Sequence, residues 1–175
     1  MKENRFRIVI PGILVLGVLF LGFLFVNNDI GVSATKIEAD IRSSQKITVD
    51  WNVEGSVSDS MAAFISYPQD KTDHTFSVYV NRPGFSFGYF FRGGGDINAV
   101  QKHIAEYVVE GYNDRAFISM NEQKVVRIEI DNGNSIDVKE IDPNNPFAIV
   151  LPVNAGTITF IDINGNEVTS YEQKL

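Results

Sequence analysis

His74 and His103 are the only side chains in this 175-residue chain that titrate near neutral pH at their ordinary pKa, and there is no cysteine. The missing thiols exclude thiolate nucleophiles, disulfides, iron–sulfur clusters and every cysteine-containing zinc site. His74 closes the run Asp70-Lys71-Thr72-Asp73-His74, an oxygen and nitrogen set that a cation could use. The two histidines form no paired-ligand spacing, however, and a solvated turn accounts for the run. Asp162, Asn164 and Asn166 alternate and are followed by Glu167, donors of the kind calcium takes. An EF loop needs Gly sixth and Glu twelfth; here Gly165 is fourth and Gln173 twelfth. A tight Asn164-Gly165 hairpin turn explains the same residues. No metal and no other cofactor is expected.

Nucleophile motifs fare no better. Ser43-Ser44-Gln45-Lys46 matches S-x-x-K, but its companion motifs S-D-N and K-T-G are missing. Gly93-Gly94-Gly95 precede a segment of helical spacing and could present N–H groups to a phosphate. No Lys-Ser/Thr pair follows, and Asp96 would repel an anion there. Among 22 Asp and Glu, a close carboxylate pair is the one route left to a small hydrolase.

The densest candidate for binding is the aromatic stretch Phe85, Phe87, Tyr89, Phe90 and Phe91, followed by Arg92 and the three glycines. Three glycines cost conformational entropy on folding, and a connector rarely needs them all. The segment therefore either moves or lets a partner approach its backbone closely. The candidate contact residues are Tyr89, Phe90, Arg92, Gly93, Gly94 and Gly95. The competing reading places one aromatic row in the core and Phe90 under a helix.

The elements that must hold these residues begin with an anchor. From Ile8 to Val26 no side chain is charged or an amide, and Lys2, Arg5 and Arg7 precede the run. Nineteen residues at about 1.5 Å each come close to a bilayer core. The positive-inside rule predicts a single-pass span over 8–26, with residues 1–7 in the cytoplasm and the remainder outside the cell membrane. If Val32-Ser33-Ala34 is a signal-peptidase site, the product is instead secreted after cleavage behind Ala34. Residues 27–45 read as a polar stalk and 46–175 as the extracytoplasmic domain.

From residue 35 onward the chain carries 12 Lys and Arg against 20 Asp and Glu. That acidity argues against a nucleic-acid partner. The only leucines there are Leu151 and Leu175, whereas Ile and Val abound. β-Branched residues suit a pleated, half-buried surface, so a mainly β domain is expected.

Alternation and turn signals predict strands at 47–53, 61–67, 76–81, 85–92, 116–120, 124–131, 135–141, 157–163 and 167–171, and the continuous apolar run 147–151 reads as a central buried strand. Trp51 would be buried beside Ile47, Val49 and Val53. Arg82-Pro83-Gly84-Phe85 reads as a type II turn. Ile97, Val100, Ile104 and Val108 fall at helical spacing, with Asp96 as cap and Gly111 as stop. The expected architecture is an N-terminal transmembrane helix followed by an antiparallel β-sandwich-like domain with one inserted α-helix, about 97–110.

The stretches TFSVYVNRPGFSFGYFFRGGG (75–95) and PFAIVLPVNAGTITFIDINGNEV (146–168) resemble small exported proteins of Gram-positive bacteria of the Bacillus type. The resemblance implies a bacterial cell-surface setting and transfers no activity or site residue. The expected function is a membrane-tethered interaction or structural module that contacts a protein or envelope partner. The alternatives are a small extracytoplasmic hydrolase and, after cleavage behind Ala34, a secreted binding or inhibitor protein.

Overall fold

The computed structural model describes residues 3–27, 29–82, 84, 86–97 and 103–175, with side chains from residue 13 onward. Its described part is mainly β, as the Ile- and Val-rich composition requires. Sheet I contains β1 (Asn52–Val57), β2 (Met61–Tyr67), β3 (Thr75–Asn81) and β4 (Tyr89–Gly95), in that order. Sheet II runs β12 (Ser170–Lys174), β5 (Ile104–Val108), β6 (Asp114–Ser119), β9 (Phe147–Pro152). Sheet III runs β11 (Glu167–Val168), β10 (Thr157–Asp162), β7 (Val125–Asp131), β8 (Ile136–Glu140). Neighbours pair antiparallel, except that β12 lies parallel to β5.

Sheet II sits between the other two and is covered on both faces. One face packs Ala105, Tyr107, Ala116 and Ile118 against Met61, Ile65, Phe76 and Val78 of sheet I. The other packs Ile104, Phe117, Phe147 and Leu151 against Ile128, Ile130, Phe160 and Val168 of sheet III. Each large apolar side chain buried in this way stabilises the fold by roughly 1.5–3 kcal/mol. The outer face of sheet I is closed by helix α2 (Ile37–Ser44), whose Ile37 and Ile41 pack with Ala62, Tyr79 and Tyr89.

This layering explains where the structure departs from the sequence expectations. Ile104–Val108 is a strand and not part of a helix; residues 98–102 lie outside the described residues. With both faces buried, β5 lacks the polar-apolar alternation that marks a strand, so its apolar residues matched a helical period by coincidence. Gly111 takes φ +83° in the turn after β5 instead of ending a helix. Part of the expected stalk is structured: α2 belongs to the domain. Arg42 on α2 donates to the carbonyls of Thr48 (3.0 Å) and Trp51 (3.2 Å), which bends the chain before β1. The strand therefore starts at Asn52 instead of Ile47; Val49 is 93% exposed and Trp51 only half-buried. The expected strand 167–171 splits, since Val168 ends β11 and Ser170 begins β12 in another sheet. Strand β4 starts at Tyr89 and not at 85; Pro83 and Phe85 lie outside the described residues, while Gly84 takes φ +99°.

Helix α1 spans Glu3–Val26, and its described side chains from Ile13 to Val26 stand exposed apart from Leu24. Among the described residues no helix is long and apolar enough to cross a membrane. The segment after α1 is tied to sheet I: Gly31 N–H donates to Phe87 O (2.6 Å), while Val32 and Tyr89 exchange backbone bonds of 2.8 and 2.7 Å. Gly31 is needed there, because a Cβ would lie 2.6 Å from the Tyr89 carbonyl oxygen.

Tyr107 stacks on Phe76 with ring centroids 4.5 Å apart. Burial, with Asp96 adding a like charge, pushes its hydroxyl up to about 12 from 10.0. A pKa raised by folding contributes stability that is complete below pH 10 and fades as pH rises toward the folded value. Ultraviolet titration should therefore show Tyr107 ionising late, together with loss of near-UV circular dichroism. Replacing it by Phe should remove that phase. An unchanged titration in Tyr107→Phe would refute the assignment.

Candidate functional site

Strand β4 is an edge of sheet I, and its register carries the site. Tyr79 pairs with Phe91 and Val78 with Gly93, so Arg92 is an extra residue in a bulge. A bulge bends its strand and re-aims a side chain. Here Arg92 stays exposed and Nη2 donates to Leu175 O at 3.1 Å.

The three glycines form the second half of β4, correcting the expectation of a strand-to-helix turn. A Cβ on Gly93 would come within 2.9 Å of the Leu175 side chain. One on Gly94 would lie 2.5 Å from the Phe76 carbonyl oxygen and 3.0 Å from Gln45 Nε2. The groups that approach these two glycines closely belong to the chain itself.

The structure divides the six candidate contact residues. Phe90 pairs with Val80 and faces the gap between sheets I and II. Phe90 and Arg92 line a pocket of about 180 Å³ with Arg82, Phe91, Glu110 and Tyr112. Tyr89 turns to the opposite face, is buried, and donates its hydroxyl to Ser58 O at 2.5 Å. Gly93, Gly94 and Gly95 do not line the pocket. Arg82, Glu110 and Tyr112 were missed by the sequence reading; they sit beyond the ends of β3 and β5, and only the packing of the two sheets brings them to β4.

The Arg82 guanidinium carbon lies 4.0 Å from the Phe90 ring centroid, a cation–π contact that orients the arginine over the pocket. Two guanidinium forks and one carboxylate give the pocket a net positive lining in an otherwise acidic domain. Guanidinium groups recognise carboxylates and phosphates by paired hydrogen bonds. Small-molecule sites usually enclose about 300–1,000 Å³. At about 180 Å³ this pocket suits one side chain or a small anion. Phe91, 52% exposed, borders the pocket as well, its ring edge-on to that of Tyr79 at 5.5 Å.

The remaining candidates are occupied by the fold's own bonds. His74 is buried with Nε2 2.9 Å from Asp96 Oδ1 and 3.2 Å from the Ile97 N–H. Asp70 accepts from Thr72, and Asp73 from the His74 N–H. The His103 ring lies 4.7 Å from that of Tyr171, tilted by 59°. Asp162 accepts the N–H groups of Asn164 and Asn166, both at 2.8 Å, and the Asn166 side-chain amide at 3.1 Å. These bonds hold its carboxyl below the ordinary carboxylate range. Among the described residues no group of three His, Asp or Glu could hold a metal ion.

Asp114 Oδ2 accepts from Ser58 Oγ (2.6 Å) and Ser60 Oγ (2.5 Å), an acid and hydroxyl cluster that closes the β1–β2 turn onto β6. A groove of about 560 Å³ beside α2 contains Lys36 and Asp40. Asp40 there accepts the buried Tyr79 hydroxyl at 2.7 Å. Among the described residues lining that groove Asp40 is the one carboxylate.

No protein-family model matches this chain, and no curated protein or solved structure does.

Proposed function

We propose that this chain is a membrane-tethered, extracytoplasmic interaction module of a bacterial cell surface. Residues 8–26 serve as the single-pass anchor, 1–7 stay in the cytoplasm, and the β domain faces outside. The β4 pocket then receives an acidic or phosphorylated group of a protein or envelope partner. The observation that carries this reading is the pocket's size and lining: about 180 Å³ beside Arg82, Arg92, Phe90 and the exposed Phe91. The apolar run from Ile8 to Val26 supports the tether, as do the exposed apolar side chains from Ile13 to Val26.

The backbone bonds between residues 29–32 and Phe87 and Tyr89 favour retention of the anchor over release. Cleavage behind Ala34 would remove one side of every one of them and uncover the start of β4.

The test has two arms. Protease added to intact protoplasts should degrade the domain, and full protection without permeabilisation would overturn the topology. A photo-activatable residue at Phe91 in living cells should give a discrete cross-linked product that Arg92→Ala abolishes. Product from position 91 that is indifferent to Arg92→Ala would remove the pocket from the reading.

A further inference from the structure

Strand β8 is exposed at every residue, and it is the outer strand of sheet III. Its pattern is inverted for an edge. Asp137 pairs with Ile130 and Lys139 with Ile128, so these two charges stand on the core-facing side, past the rim of the core. Ile136 and Val138 pair with Asp131 and Glu129 on the outward face, 59% and 51% exposed.

The hydrogen-bond phase shows which backbone groups are unused. Asn132 N–H donates to Ser135 O (3.2 Å) and Ile141 N–H to Val126 O (2.8 Å). Antiparallel pairs alternate between bonded and non-bonded. Residues 135, 137, 139 and 141 therefore turn their amides toward β7. Ile136, Val138 and Glu140 turn theirs to the open side.

We propose that β8 pairs with β8 of a second copy, antiparallel about a two-fold axis at Val138, joining two copies of sheet III into one sheet. This register places Val138 opposite Val138, and Ile136 opposite Glu140. All three residues with unused amides then become hydrogen-bonded pairs. Asp137 falls opposite the second copy's Lys139, in the non-bonded pair type where side chains approach most closely. The symmetry repeats the match, Lys139 against Asp137, so both charged pairs attract. Sliding the register to centre on Glu140 would oppose two glutamates, and centring it on Asp137 or on Lys139, which the backbone phase also allows, would set two like charges face to face in a close non-bonded pair. Charge complementarity thus selects one register and one occupant, a copy of the same edge, as an isologous contact requires. The contact uses none of the β4 pocket.

The full chain in detergent micelles, studied by sedimentation equilibrium, should show a protein mass that rises from one copy to two with concentration. Asp137→Lys and Lys139→Asp each turn both attractive pairs repulsive, and each alone should weaken self-association by roughly tenfold. An equimolar mixture of the two variants has every pair opposite in charge and should associate at least as tightly as the parent. Both positions are exposed, and matching circular dichroism of each variant checks the fold. A mass of one copy at every concentration would overturn the proposal. So would self-association that neither variant weakens, or weakening that mixing does not restore.

Discussion

Phe117→Ala should lower the stability of the domain by about 3–5 kcal/mol, the cost of emptying a well-packed aromatic site. Phe117 is 1% exposed, lies 5.1 Å from the Phe160 ring and stands on the face of β6 that sheet III covers. Its loss leaves a cavity between two sheets held in place by their other strands, so the gap cannot collapse cheaply. For a domain of this size the melting temperature should fall by roughly 10 °C. Denaturant unfolding monitored by near-UV circular dichroism checks the value. Trp51→Ala is the contrast: a half-buried residue on the bend before β1 should cost clearly less. Equal losses at the two positions would mean that sheet III does not cover β6 as described.

Ile41→Ala should cost about 2–5 kcal/mol, though residue 41 falls within a stretch whose composition reads as a stalk. Eight residues are too few for a helix to persist alone in water, so α2 exists because Ile37 and Ile41 are seated on sheet I. Truncating Ile41 weakens that seat and exposes Tyr79 and Ala62. Limited trypsin digestion should then cut faster after Arg42 or Lys46 than in the parent, before the sheets unfold. A truly extended stalk would show no change in stability and rapid cutting in both proteins.

The parts of this fold that the sequence made legible are strands with one wet face, such as β7 and β10, and short apolar runs bounded by turn residues, such as β2 and β9. Strand β2 occurs at the expected residues, and β7, β8, β9 and β10 within one or two of the expected ends. Their turns carry local chemistry: Asp131 with Gly133, Asp142 with Asn144, and Asp162 with Asn164 and Asn166. Strand β5 was illegible because burial on both faces erases alternation and Ile104 and Val108 also continue a helical spacing from Ile97 and Val100. Helix α2 was illegible because two isoleucines four residues apart are too weak a signal among polar neighbours. Of the site, Phe90 and Arg92 were visible as a dense local run. Arg82, Glu110 and Tyr112 were not, because their convergence depends on how two sheets stack.

The parallel pairing of β12 with β5 also sets an order of assembly. Ser170 lies beside Ile104 and Lys174 beside Val108, and β12 follows every other strand in the chain. A nascent chain cannot complete its middle sheet until synthesis has passed residue 174, whatever the earlier strands have achieved. Until then β5 presents an open, apolar edge, the kind of surface that recruits other unfinished chains. A polypeptide stalled before Ser170 is thus a candidate for aggregation and rapid proteolysis.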